Sequence, residues 1–206
     1  MGTDISGVIE CRPVFGYPSQ YASRKGWEFA IDLGQLYDTR DYDSFGCLFG
    51  VMNFAGFEPV AAERGFPEDM AQRTADLATR RACAFPTWVN WAEIAAVDWS
   101  EPATRPDSRI HEYTRNEAGE WRMRGKAGQS PQFARLVGMT PVEAAATSWP
   151  DGSQWLDGDV RYRAETLTRA EAVQPDGAWQ PVWSVMETLA GLHGPDHVRL
   201  VVWFDR

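Results

Sequence analysis

Residues 197–205 read His-Val-Arg-Leu-Val-Val-Trp-Phe-Asp, and this stretch decides the fold. Successive side chains of a strand point to opposite faces, so Val198, Leu200, Val202 and Phe204 would cover one face and Val201 and Trp203 the other. A strand apolar on both sides belongs inside a sheet that is covered on both faces. Its neighbour is expected at the far end of the chain. Residues 4–12 alternate with Ile5, Ile9 and Cys11 on one face and Asp4, Ser6, Val8 and Glu10 on the other, and the second face is unusually polar. Residues 27–33 repeat the pattern, with Trp27, Phe29, Ile31 and Leu33 inward and Glu28, Ala30 and Asp32 outward. They are predicted to pair with the first strand as an antiparallel hairpin across the long connection 14–26.

Between these strands, local signals mark the other elements. Residues 41–50 read as a helix, followed by the glycine-bearing turn 53–59. Pro67, whose fixed φ suits a first helical position, precedes Glu68 and Asp69 and predicts a second helix running to Arg81. Asn90 and Glu93 form a capping box for a short helix through Val97. Residues 109–115 and 120–126 flank Asn116-Glu117-Ala118-Gly119 and predict a hairpin. Ser130-Pro131 and Thr140-Pro141 open two short helices, the second with Glu143 completing a capping box. Residues 151–158 are turn-rich and 160–167 alternate as a strand. From Pro181 the residues Val182, Val185, Met186, Leu189 and Leu192 recur at helical spacing, up to Gly191 or Gly194. About six strands and five or six helices without strict βαβ alternation predict an α+β fold on a mostly antiparallel or mixed sheet. With 206 residues, 44% of them hydrophobic, the chain is expected to form one domain, 1–206.

Composition narrows the function classes. No apolar run approaches the roughly 18 residues of a membrane span, and residues 1–10 have neither the basic nor the apolar region of a secretory signal. A cytoplasmic protein is expected. Three cysteines, Cys11, Cys47 and Cys83, without C-x-x-C spacing argue against a disulfide framework and a zinc knuckle. The net charge of −9 disfavours nucleic acid as a partner. The charge is uneven, however: Arg105, Arg109, Arg115, Arg122, Arg124 and Lys126, with Arg161 and Arg163 later, are compatible with a local anion site or with solvated strand positions balanced by glutamates. Self-association is left open.

Residues 40–69, RDYDSFGCLFGVMNFAGFEPVAAERGFPED, carry the densest polar chemistry, set among glycines at 46, 50, 56 and 65. Glycine weakens a helix without burying anything, so the mixture reads as a shaped surface rather than a plain core helix. The alternative is a buried stripe of Phe45, Leu48, Phe49 and Val51 with the polar residues as caps and turns. As a site, Arg40, Tyr42, Asp43, Asn53 and Arg64 would hold a small polar ligand, for instance a phosphorylated or nucleotide-like anion. Arg64, beside Gly65 and ahead of a helix start, leads the set. The competing class is a hydrolytic enzyme with Asp4 or Asp43 as general base and an arginine stabilising developing charge. Asp4, Ser6 and Glu10, with Glu28 and Asp32 across the hairpin, form a carboxylate-rich face that is either a site or a solvated surface. Asp4 adjoins Gly2 and Gly7, where backbone can approach a ligand. Two or three of the ten tryptophans are expected to wall a pocket. His193, Asp196 and His197 use metal-ligand types, but Gly194-Pro195 separates them, so His193 is assigned to a helix end and no metal is assigned. His111 is read as a structural strand residue. No Walker, dinucleotide-binding, nucleophile-elbow or H-E-x-x-H motif is present, and no cofactor is assigned.

The segments MGTDISG at residues 1–7, the stretch 40–69 and HVRLVVWFD at 197–205 together resemble an uncharacterised protein family common in actinobacteria and recurrent in bacteriophage genomes. The resemblance implies a shared fold and carries no activity with it. Members often have histidine where this chain has Ser6, and a His-Ser pair shortly before the tryptophan corresponding to Trp88; here that stretch reads Ala84-Phe85-Pro86-Thr87. If those histidines hold a metal in relatives, this chain lacks the ligands.

Overall fold

A computed structural model describes residues 2–14, 26–79 and 83–205. The fold is α+β, with two four-stranded antiparallel sheets and seven α-helices among these residues. The first sheet contains β1 (Asp4–Cys11), β2 (Glu28–Asp32), β3 (Ala84–Asn90) and β8 (Val198–Asp205), in the order β2-β1-β8-β3. The chain's first and last strands are thus neighbours, paired from Asp4 opposite Asp205 to Cys11 opposite Val198. Every residue of β8 from Val198 to Phe204 is buried. Leu200, Val202 and Phe204 enter the main core with Phe45, Leu48, Trp179, Val182 and Met186. These come from α1 (Tyr42–Phe49) and α7 (Gln180–His193) and from Trp179 just before α7. Trp203 turns to the other face with Val8, Ala78 and Phe66, under α2 (Gln72–Ala78). Gly7 fits this pairing because a Cβ there would sit 2.6 Å from the Val201 carbonyl oxygen and 3.0 Å from Val202 Cγ1.

The second sheet, β4 (Ile110–Arg115), β5 (Trp121–Ala127), β6 (Gln154–Asp157) and β7 (Val160–Arg163), has the order β5-β4-β7-β6. One face carries Ile110, Tyr162 and Trp155 against Phe133, Ala134 and Ala144 of α4 (Pro131–Leu136) and α5 (Pro141–Ala146). The predicted caps hold here: Ser130 accepts from the Phe133 N–H, and Thr140 and Glu143 form a full capping box, as do Asn90 and Glu93 at α3 (Trp91–Ala95). Another box, Thr168 with Glu171, opens α6 (Arg169–Val173).

Several expectations need correction. Among the described residues there are eight strands in two sheets, where about six in one sheet are expected. β3 was hidden because Phe85-Pro86 interrupts its pattern: the register with β8 shifts between Ala84 and Thr87, and Phe85 has φ +50°. β6 lies within the turn-rich 151–158, and the strand expected over 160–167 ends at Arg163. The helix predicted from Pro67 instead starts at Gln72, because Asp69 is bonded to Arg199 and the Ala71 N–H donates to Glu10, which pins residues 69–71 to the first sheet. Its predicted end at Arg81, and loop residues 15–25, lie outside the described residues. The strict alternation of 27–33 breaks at a bulge: Ile9 faces Ile31 but Glu10 faces Phe29, so Phe29 and Ile31 join opposite cores. The last helix runs to His193 with Gly194 as its cap.

Candidate functional site

On the polar face of β1, Glu10 is drawn into the protein by Arg199, a residue that lines a cavity. Glu10 is fully buried, and its Oε2 accepts from Arg199 Nε and Nη2 at 2.9 and 2.8 Å while Oε1 accepts from the Ala71 N–H at 2.9 Å. Arg199 Nη1 also donates to Asp69 at 2.8 Å. A carboxylate out of water is tolerated only when paired and fully hydrogen-bonded, and these bonds meet that condition. The carboxylates expected to cluster here disperse instead. Asp4 forms a two-pronged pair with Arg40 at 2.8 Å on an exposed edge, and Asp32 caps the turn through the Gly34 N–H. Gly2 and Gly7 press against Arg40 and β8, so their close approaches are to the protein itself rather than to a ligand.

Arg199 opens onto a cavity of about 440 Å³ walled by Trp27 and Trp88, with Arg12 and Arg64 also on its lining. The five side chains form an alternating series: the Arg199 guanidinium lies 3.9 Å from the Trp27 ring centre and 5.9 Å from that of Trp88. Arg12 lies 5.5 Å from Trp27, and Arg64 lies 5.1 Å from Trp88. Guanidinium over an indole face is an attractive arrangement, and it orders the rings that line the space. Glu68, Asp69 and Asp196 complete a lining of mixed sign.

The residues expected to hold a ligand together, Arg40, Tyr42, Asp43, Asn53 and Arg64, are divided, as is the candidate base Asp4 from Asp43. Arg64 reaches the cavity, but it donates to Glu93 at 2.9 and 2.7 Å, and the neighbouring Gly65 N–H donates to the Pro86 carbonyl. Arg64 and the Asn90 N–H hold the Glu93 carboxyl below its ordinary pKa against the opposing effect of partial burial. Arg40 is paired with Asp4, and the Tyr42 hydroxyl accepts from the Thr3 N–H. Asn53 ties its own loop, accepting from the Gly56 and Phe57 N–H groups and donating to the Phe57 carbonyl. In this respect residues 42–49 match the buried-stripe alternative, with Phe45, Leu48 and Phe49 in the core and Gly50, at φ +76°, ending the helix.

Asp43 faces elsewhere, into the junction with the second sheet. It accepts from Arg109 and, at 2.5 Å, from Lys126 Nζ. Arg109 continues to Asp107, whose Oδ2 lies 3.2 Å from His111 Nε2; His111 Nδ1 lies 2.8 Å from Glu165, which also accepts from the Tyr113 hydroxyl. His111 is fully buried between two carboxylates. Burial raises the Asp107 carboxyl, but bonds from His111 and Arg109 outweigh it and hold the group far below its ordinary value. Burial first, then the Glu165 carboxylate, push the Tyr113 phenol up to about 12. Asp43, Tyr113, Lys126 and Glu165 border a cleft of about 550 Å³. The sequence does not reveal this network because its bonded partners lie 2 to 83 residues apart. The short-range Asp107/Arg109/His111 spacing was its only local trace.

Among the described residues, no helix is long and apolar enough to cross a membrane. Comparison with protein-family models, curated proteins and solved structures finds no match to this chain.

Proposed function

We propose that the protein binds a small anion bearing a flat group, of the phosphorylated or nucleotide-like kind, in the cavity between Trp27 and Trp88, in the cytoplasm. One observation carries the reading: three guanidinium groups and two indoles line a single cavity whose size falls in the about 300–1,000 Å³ range of small-molecule pockets. Arg64 is the residue best suited to engage the ligand. Its partner Glu93 keeps the Asn90 N–H when Arg64 turns away, so exchanging the ion pair for a ligand phosphate leaves α3 capped. Arg199, its charge met by Glu10 and Asp69, is fixed against Trp27 and Trp88 and holds the two indoles in place.

The test is calorimetric titration with a nucleoside monophosphate and with inorganic phosphate, on the parent and on Arg64→Ala. Saturable binding that weakens by about tenfold or more in the variant supports the reading, since a charge-assisted bond is worth roughly 1.5–3 kcal/mol. Absence of binding by either anion, or affinity unchanged by the substitution, removes it. The hydrolytic alternative draws support from the cleft at Asp43, Tyr113, Lys126 and Glu165. Against it, Asp43 as general base would have to give up two cations. Chromatography after extended incubation separates the two: nucleotide recovered unchanged favours binding, and turnover favours hydrolysis.

A further inference from the structure

The second sheet has one face covered by α4 and α5; the other carries a cross-strand row that spans all four strands. Met123 of β5 stands opposite Tyr113 of β4, Tyr113 opposite Arg161 of β7, and Arg161 opposite Leu156 of β6. Directly paired residues share a face, so these four side chains emerge together. The next row outward is Trp121 opposite Arg115. The row inward, Lys126, His111 and Arg163, has its charges taken up by Asp43 and Glu165 of the junction network. Arg161 lies 5.0 Å from the Tyr113 ring centre and 4.7 Å from that of Trp121, and Arg115 lies 4.8 Å from Trp121. Neither Arg115 nor Arg161 has an ion-pair partner among the described residues, and Arg161 Nε is buried without an acceptor. Met123 and Leu156 at the two ends of the long row are 48% and 60% exposed.

Two unneutralised guanidinium groups on one sheet face are a local positive patch on a chain of net charge −9. A polyanion is therefore the complementary partner. The aromatic and guanidinium planes, stacked side by side, and the flanking apolar residues choose among polyanions: an acidic peptide uses only the charge, whereas bases use planes as well as charge. We propose that this face binds single-stranded nucleic acid, with phosphates on Arg115 and Arg161 and bases against Tyr113, Trp121 and the guanidinium planes. The site is separate from the cavity on the first sheet. Repulsion by the rest of the chain keeps the affinity modest and dependent on low salt.

The full-length protein is titrated at low salt with a fluorescently labelled short oligothymidylate, followed by anisotropy, with polyglutamate of similar charge as the second probe. Expected is saturable binding of the oligothymidylate that falls steeply with added salt, is weakened about tenfold or more by Arg115→Ala with Arg161→Ala, and is unchanged by Arg64→Ala. Should the double variant fail to fold, Arg115→Glu at the exposed position serves instead, because charge reversal there abolishes binding without touching the buried Arg161 Nε. The proposal is overturned by no oligothymidylate binding, by polyglutamate binding as tightly, or by loss of binding in Arg64→Ala equal to that in the folded patch variant.

Discussion

Arg199 and Arg161 both emerge from a strand and lie against two aromatic rings, yet they end in opposite states. Arg199 is 3% exposed, stands between Trp27 and Trp88, and its three nitrogens bond Glu10 and Asp69. Arg161 stands against Tyr113 and Trp121 with no carboxylate partner among the described residues. The difference comes from what lies opposite each on the neighbouring strand. Register places Glu10 directly across from Arg199, and it places Tyr113 and Leu156 across from Arg161. A guanidinium that finds an acid in its own sheet becomes part of the framework, whereas one that finds only rings and aliphatic chains keeps its charge for an outside partner.

The largest expected effect breaks the first half of this comparison. Arg199→Ala leaves Glu10 charged, buried and uncompensated, and should cost about 3–5 kcal/mol in urea unfolding. Adding Glu10→Gln should recover a substantial part, since the remaining amide carries no charge. A loss under about 1 kcal/mol in the single variant would mean that Glu10 readily reaches water, and the framework role of Arg199 would fall.

Acid sensitivity gives an intermediate test, at the junction between the sheets. The Asp107 carboxyl is lower in the folded than in the unfolded chain, so its contribution is complete above the unfolded value near 3.8 and is lost as pH falls below it. Stability should therefore drop between pH 4 and pH 2. Asp107→Asn should cost about 1–3 kcal/mol at neutral pH and flatten this acid limb. An acid limb as steep in the variant as in the parent would assign the sensitivity to other carboxylates. The smallest effect completes the contrast: Arg161→Ala should change unfolding stability by no more than about 0.5 kcal/mol, because it breaks no ion pair. A loss approaching that of Arg199→Ala would show that Arg161 belongs to the framework after all.

Much of the architecture was legible because its signals are local. The both-face apolar strand at 198–204, the three capping boxes or cap-proline starts at Asn90, Ser130 and Thr140, and the hairpin around 116–119 each depend on a few adjacent residues. β3 was illegible because a bulge broke its period, and the helix predicted from Pro67 was displaced because Asp69 and Ala71 are bonded to a strand far away in sequence. The candidate site was legible only in part. Arg64 and the prospect of a tryptophan wall could be read from composition and turn chemistry. Arg12, Trp27 and Arg199 could not be grouped with them, since they come together only through the pairing of β1 with β2 and β8.

By itself, then, the sequence determined the fold class, the adjacency of the first and last strands, and the positions of most helix starts, because hydrophobic period and capping act over a few residues. Tertiary structure alone decided which charges are spent inside the protein. Asp4, Glu10, Asp43 and Asp107 look alike as carboxylates in the chain, and Arg40, Arg109, Arg161 and Arg199 look alike as guanidinium groups. Strand register and sheet packing set which of them meet at hydrogen-bonding distance out of water, and Coulomb attraction at that range is many times what it is across solvent.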